Sequence, residues 1–302
     1  MMGFVGVLYA VLIYVGVSSS SLYWVWVALE GGLILVMTVG VKEGGQMASV
    51  LEYFLVQAFS SLLLMVGLMC SSPVMAVLGV VVKVGLMPFV PWVYRVVWGL
   101  GDVSGLWLVL GLQKAIPLAV VLQWSWVYEP VMGLVVGSLM LSMCMGSVAI
   151  LMCAGVKWII VSSSLFHSSW LVLMALSGYS LMVTYFVGYM MVLGSLMCMG
   201  FEKGGVEGVV GEVLALLASV PPMAGFGLKV YSFMGLVGGL KLVMVTMGLL
   251  SGVSLVGYMM MLLKGQLLKL QASVETKEAV VGSVSAYLCL WGLGLAAMCV
   301  GM

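Results

Sequence analysis

The sequence predicts an all-α polytopic membrane protein of eleven transmembrane helices, and three observations predict it. Only 7% of the 302 residues are charged and 64% are apolar, with a mean hydropathy of +1.30, whereas soluble domains carry about 25% charge. Apolar runs of roughly 20 residues, the length that crosses about 30 Å of hydrocarbon, follow one another along the chain with short connections between them. The basic residues of those connections fall on one side of the resulting topology. So few polar side chains cannot cover the surface of a water-soluble globule of this size. A soluble enzyme and a disordered segment are thereby excluded. A net charge of +1 offers no basic face to nucleic acid either.

Taken in order, the expected spans are 3–18, 20–40, 49–70, 73–93, 102–128, 130–154, 156–177, 180–200, 209–234, 238–264 and 279–301. The first has no basic n-region and no small-residue cleavage site, so it reads as a span rather than a cleaved signal. All 302 residues are expected in a single transmembrane domain. Residues 1–128 and 130–264 form two sets of five helices, and 279–301 adds a C-terminal helix. An odd-numbered set repeated in tandem must be inverted. The fourth member of each set carries prolines beside a lysine: Lys83 before Pro88 and Pro91, and Pro221-Pro222 before Lys229. Paired, proline-interrupted spans in corresponding positions point to a transport site near the membrane midplane.

Placing the N-terminus and every second connection on one side gathers Lys42, Arg95, Lys157, Lys203, Lys264, Lys269 and Lys277 there. The opposite connections receive Glu129 and, at the margin, Lys241. The positive-inside bias then puts the N-terminus on the matrix-like side and the C-terminus opposite. The six cysteines lie in apolar runs without a C-x-x-C pair, and are expected as buried apolar fillers rather than disulfides or metal ligands. Asn is absent, Asp and His occur once each, and Thr is rare. Packing does not select such a composition; strong nucleotide bias does, as in small organellar genomes.

Four charges sit inside expected spans: Glu30, Lys83, Lys114 and Lys229. A charge at the bilayer centre costs about 2.5–3.5 kcal/mol even on the lenient insertion scale, so such residues face protein or water and mark ion or proton paths. Three lysines and one carboxylate cannot all be neutralised by pairing. Groups that exchange between charged and neutral forms are the chemistry of a proton relay. His167, the sole histidine, lies mid-span behind Ser162-Ser163-Ser164. It is either a polar group bonded to those serines or a further proton carrier. Glu52 and Gln57 are candidates for closing one end of a water file. No nucleotide loop, catalytic triad or metal cluster is present in the sequence. Hence no cofactor or metal is expected on this chain.

Lys83-Val84-Gly85-Leu86-Met87-Pro88-Phe89 with Trp92 resembles the K-x-G-x-x-P-F-x-x-W segment of the mitochondrial NADH-ubiquinone oxidoreductase chain 2 family. Gln113-Lys114-Ala115-Ile116-Pro117 is similar to that family's W-Q-K-x-x-P. Pro221 to Lys229 is similar to its P-P-L-x-G-F-x-x-K. Weaker likenesses lie at Leu29-Glu30, Tyr53 to Ala58, and Ser163 to His167 with Trp170.

The resemblance implies an antiporter-like, proton-pumping subunit in the membrane arm of respiratory complex I, in the mitochondrial inner membrane. Its partners would be other membrane-arm subunits, including neighbouring antiporter-like chains, and lipids. NADH, FMN, iron–sulfur clusters and ubiquinone would belong to partner subunits. The family's buried carboxylate maps to Glu30, its two central lysines to Lys83 and Lys114, and the lysine of its second broken helix to Lys229. The chain departs from the family pattern at Val90, Tyr94, Arg95 and Ser162. The alternative reading is a stand-alone cation/proton antiporter of the same fold.

Overall fold

A chain this apolar, placed in lipid, must satisfy every backbone N–H and C=O internally, and helices do so segment by segment. The computed structural model describes residues 2–100, 103–152, 156–198, 219, 224–235 and 241–272, and among these there is no strand. In chain order the helices are α1 (Met2–Ser18), α2 (Leu22–Lys42), α3 (Met47–Met69), α4 (Pro73–Val84), α5 (Pro91–Gly99) and α6 (Val103–Leu110). A 3₁₀ turn, Leu112–Lys114, leads into α7 (Ala115–Gln123), the single-turn α8 (Ser125–Tyr128) and a second 3₁₀ turn, Glu129–Val131. Then follow α9 (Met132–Met152), α10 (Val156–Ser177), α11 (Tyr179–Cys198), α12 (Ala224–Gly235) and α13 (Lys241–Ala272).

Among the described residues six helical stretches are long and apolar enough to cross a membrane, and three apolar helices are shorter. The expected span 279–301 and the Pro221-Pro222 break lie outside the described residues. The expected break in 73–93 is present, between α4 and α5. A second break, at Gly111–Lys114, interrupts the expected continuous span 102–128. Its cause is Pro117, which lacks an N–H and whose ring crowds the carbonyl four residues back, that of Gln113. Gly111 carries the turn, at φ −113° and ψ −85°.

The contacts divide the chain into two units: residues Met1–Met143 with Ser164–Met182, and Cys144–Ser163 with Val183–Met302. In the first unit α2 buries Val25, Ala28, Leu29, Gly32, Leu33, Val36, Val39 and Gly40, a stripe at three- and four-residue spacing. α3 is patterned inside out. Its buried stripe carries Ser49, Gln57, Ser60 and Ser61, while Leu55, Phe59 and Leu62 are each more than half exposed. In water that arrangement would be destabilising, whereas in lipid it keeps the polar groups among protein partners. α3 and α4 lie close enough that a Cβ on Gly79 would stand 2.7 Å from the Leu64 backbone nitrogen. One on Gly67 would run into Ala76. Glycine is what lets these two backbones approach.

The second unit uses the same device. A Cβ on Gly188 of α11 would meet the Leu228 side chain of α12, and one on Gly257 of α13 would lie 2.8 Å from Ile150 of α9. The most enclosed candidate spans are Gly105–Gln123 and Lys157–Ser177, with 83% and 94% of their apolar windows buried, against 22–44% for the other four. These two carry Lys114 and His167. One expectation is corrected: Cys70 and Cys144 are exposed rather than buried fillers, because Cys70 caps the end of α3 and Cys144 lies on an outward face of α9. The remaining cysteines lie outside the residues whose side chains are described.

Candidate functional site

The Lys83 site begins with a helix that must stop. α4 starts at Pro73, in the first turn where a missing N–H is harmless. It ends at Gly85, whose φ of +78° is left-handed and open to glycine without strain. The Gly85 N–H donates to the Val81 and Val82 carbonyls at 3.1 and 3.2 Å, and Leu86 N–H to Val81 at 2.9 Å. From α5, the Trp92 indole N–H also donates to the Val82 carbonyl, at 3.2 Å. Ser142 of α9 fixes the far side of the break by accepting from the Met87 N–H at 2.8 Å. Lys83 thus occupies the last turn of α4, where the helix dipole favours a cation.

Lys83 is 2% exposed. Its Nζ donates to the Gln57 carbonyl at 3.2 Å. The Gln57 side-chain amide donates back to the Lys83 carbonyl at 3.2 Å. One turn further along α3, the single Ser61 hydroxyl hydrogen is within reach of the Glu30 carboxylate or of the Ala58 carbonyl at 2.8 Å. The Glu30 carboxylate and the Lys83 ammonium thus bind α3 one turn apart, at Ser61 and at Gln57. The buried stripe of α3 therefore joins two residues that stand 53 positions apart in the sequence.

Lys114 lies at the second break and is 5% exposed. Its Nζ is 2.5 Å from Ser164 Oγ and 2.6 Å from Ser168 Oγ, with the Ser164 carbonyl at 3.4 Å. Beside it, Tyr9 of α1 donates to Gln113 Oε1 at 2.5 Å. Gly32 of α2 leaves room for that pair, since a Cβ there would lie 3.3 Å from the Tyr9 hydroxyl. Ser164, one of the three serines preceding His167, accepts from Lys114. His167 is buried, 7% exposed, with its ring edge-on to Phe166.

Lys229 lies in the second unit, on α12, and is 6% exposed; Ser232 donates to its carbonyl at 2.7 Å. The structure thus brings Glu30 and Lys83 together through α3 and buries Lys114 in the same unit, with Lys229 buried in the other. Glu52 is separated from Gln57 in role. Its carboxylate pairs with Arg95 at 2.6 Å on the partly exposed end of α3, so the basic residue that departs from the family pattern has a partner. Sequence reasoning missed Tyr9, Ser61, Ser142 and Ser168. Ser61 was legible as a polar residue four after Gln57, on the same helical face.

No family model matches the chain. Among curated proteins it is 30% identical to NADH-ubiquinone oxidoreductase chain 2 of Branchiostoma lanceolatum over 191 residues, covering 57% of this chain and 54% of that one. The same protein of Ailurus fulgens is 27% identical over 198 residues, covering 59% and 56%. That of Anopheles gambiae is 27% identical over 202 residues, covering 61% and 58%. The chain therefore spans little more than half the length of these relatives.

Among solved structures, a chain of the Mrp complex from Dietzia sp. DQ12-45-1b superposes with a TM-score of 0.74 at 14% identity, covering 86% of this chain and 59% of that one. A chain of the membrane-bound sulfane sulfur reductase, an archaeal respiratory membrane complex, does so with 0.74 at 13%, covering 97% and 71%. The fold is therefore that of respiratory and Mrp membrane-complex chains, and by sequence the chain resembles NADH-ubiquinone oxidoreductase chain 2.

Proposed function

We propose that this chain is a proton-translocating membrane-arm subunit of respiratory complex I. Glu30, Lys83, Lys114 and Lys229 would relay protons, with His167 as a further candidate member, and redox chemistry in partner subunits would drive them. On this reading the chain belongs to a proton-pumping NADH:ubiquinone reductase without a redox centre of its own. NADH, FMN, iron–sulfur clusters and ubiquinone are handled by partners, among them other antiporter-like chains. It spans the mitochondrial inner membrane eleven times, as two inverted five-helix repeats and a C-terminal helix, with its N-terminus on the matrix side and its C-terminus facing the intermembrane space.

The observation that carries the reading is the burial of three lysines within apolar segments, two of them at helix breaks. Placed against lipid, each charge would cost several kcal/mol. Here the Lys83 ammonium meets a carbonyl and the Lys114 ammonium a carbonyl and two hydroxyls, all oxygens that can hold a cation. The mechanism is electrostatic: a charge change at one buried group alters the proton affinity of the next.

The test is proton pumping by the assembled complex in sealed vesicles, comparing Lys83→Met and Lys229→Met with the parent. Each is expected to lower the number of protons moved per electron while leaving assembly intact. An unchanged ratio in both would make the chain a structural spacer. An active, isolated chain exchanging cations for protons would instead make it a stand-alone antiporter.

A further inference from the structure

An ammonium group only donates hydrogen bonds, whereas the amine left when it loses a proton carries a lone pair and needs a donor as well. A cradle of carbonyls or carboxylates serves the first state alone. Ser164 and Ser168 can serve both. They are one turn apart on α10, so their hydroxyls stack on one helix face, and they are 2% and 1% exposed. Both oxygens stand within 2.6 Å of Lys114 Nζ. Ser168 also directs its hydroxyl hydrogen to the Ser164 carbonyl at 2.5 Å, which is the arrangement an ammonium requires. Rotation of the Ser168 hydroxyl about its C–O bond turns its hydrogen from the Ser164 carbonyl to the nitrogen, and the Ser164 hydroxyl can likewise point its hydrogen at the nitrogen, which is the arrangement an amine requires.

We propose that Ser164 and Ser168 are positioning residues that form a two-state cradle, holding Lys114 Nζ in one place in both its charged and its neutral form. The inference rests on the relay reading of Lys114 and deepens it. A lysine that must alternate between forms needs partners that alternate with it. Otherwise one of the two states leaves a buried polar group unmatched and the step through it slows.

The test uses the assembled complex in sealed vesicles and compares four chains: the parent, S164A/S168A, S164T/S168T and Lys114→Met. The alanine pair is expected to slow redox-driven proton uptake by about tenfold for each hydroxyl removed. The threonine pair, which keeps both hydroxyls and adds only methyl groups, restores it. Rescue by threonine separates the hydroxyl chemistry from mere packing. Should the alanine pair fail to assemble, Ser168→Ala against Ser168→Thr makes the same comparison. Equal pumping by alanine and threonine variants overturns the cradle. If Lys114→Met stops pumping in that case, the relay reading survives; if Lys114→Met pumps like the parent, both fall.

Discussion

Gln57 and Lys83 exchange hydrogen bonds, each side chain donating to the other's main-chain carbonyl at 3.2 Å. The exchange welds the middle of α3 to the last turn of α4, where the carbonyls lack intrahelical donors. Replacing Gln57 by Leu keeps the volume but leaves the buried Lys83 carbonyl without its donor. The expected cost is about 1–3 kcal/mol. It should appear as a lower thermal midpoint of the detergent-extracted protein, and an unchanged midpoint would show that the exchange is not formed.

The approach of α3 and α4 gives a sharper comparison. Gly79→Ala places a methyl group 2.7 Å from the Leu64 nitrogen, with main chain on both sides and little freedom to yield. Gly133→Ala on α9 meets nothing within 4 Å. The first substitution should destabilise by about 1–3 kcal/mol through overpacking. The second should be neutral or stabilising by up to about 1 kcal/mol, since alanine is the better helix former. Reversal of that order in thermal unfolding would contradict the helix pairing.

Tyr9 and Gln113 stand 104 positions apart, yet the Tyr9 hydroxyl bonds Gln113 Oε1 immediately before Lys114. Tyr9→Phe keeps the ring and removes only the donor, so about 1–3 kcal/mol of stability should be lost. Because the bond holds the broken helix in register, proton pumping should fall along with stability. Tyr9→Phe with pumping and thermal midpoint both at parent values would remove Tyr9 from the site.

How much of this was legible in sequence differs by residue. The three buried lysines could be read from cost alone, since an apolar run tolerates a lysine only when something interior receives it. The break after Lys83 was written in Gly85, Pro88 and Pro91. The break before Lys114 was also written, in Pro117, but a single proline inside a long apolar run was read through as continuous helix. What the receivers are could not be read, because Ser61 to Glu30, Ser142 to Met87 and Ser168 to Lys114 join helices whose relative placement depends on tertiary packing. Cys70 and Cys144 departed from the buried-filler expectation for a related reason. Composition tells that a helix is apolar, not which of its faces meets protein and which meets lipid.

Orientation yields the last prediction. Lys42 ends α2 and is exposed, Arg95 on α5 is exposed beside the start of α3, and Lys157 opens α10. Glu129 lies in the 3₁₀ turn between α8 and α9. In the proposed topology the three basic residues share the matrix side and Glu129 faces the intermembrane space. The reason is that the membrane potential and the insertion machinery favour cytoplasm-like retention of Lys and Arg in short connections. Single cysteines at these four positions, in a chain otherwise free of cysteine, should divide accordingly under a membrane-impermeant maleimide. Those at 42, 95 and 157 should be protected in right-side-out vesicles and labelled in inverted ones, and that at 129 the reverse. Labelling of 95 and 129 from one side would mean that α6 and α7 together do not cross, and the eleven-span topology would have to be redrawn from that point onward.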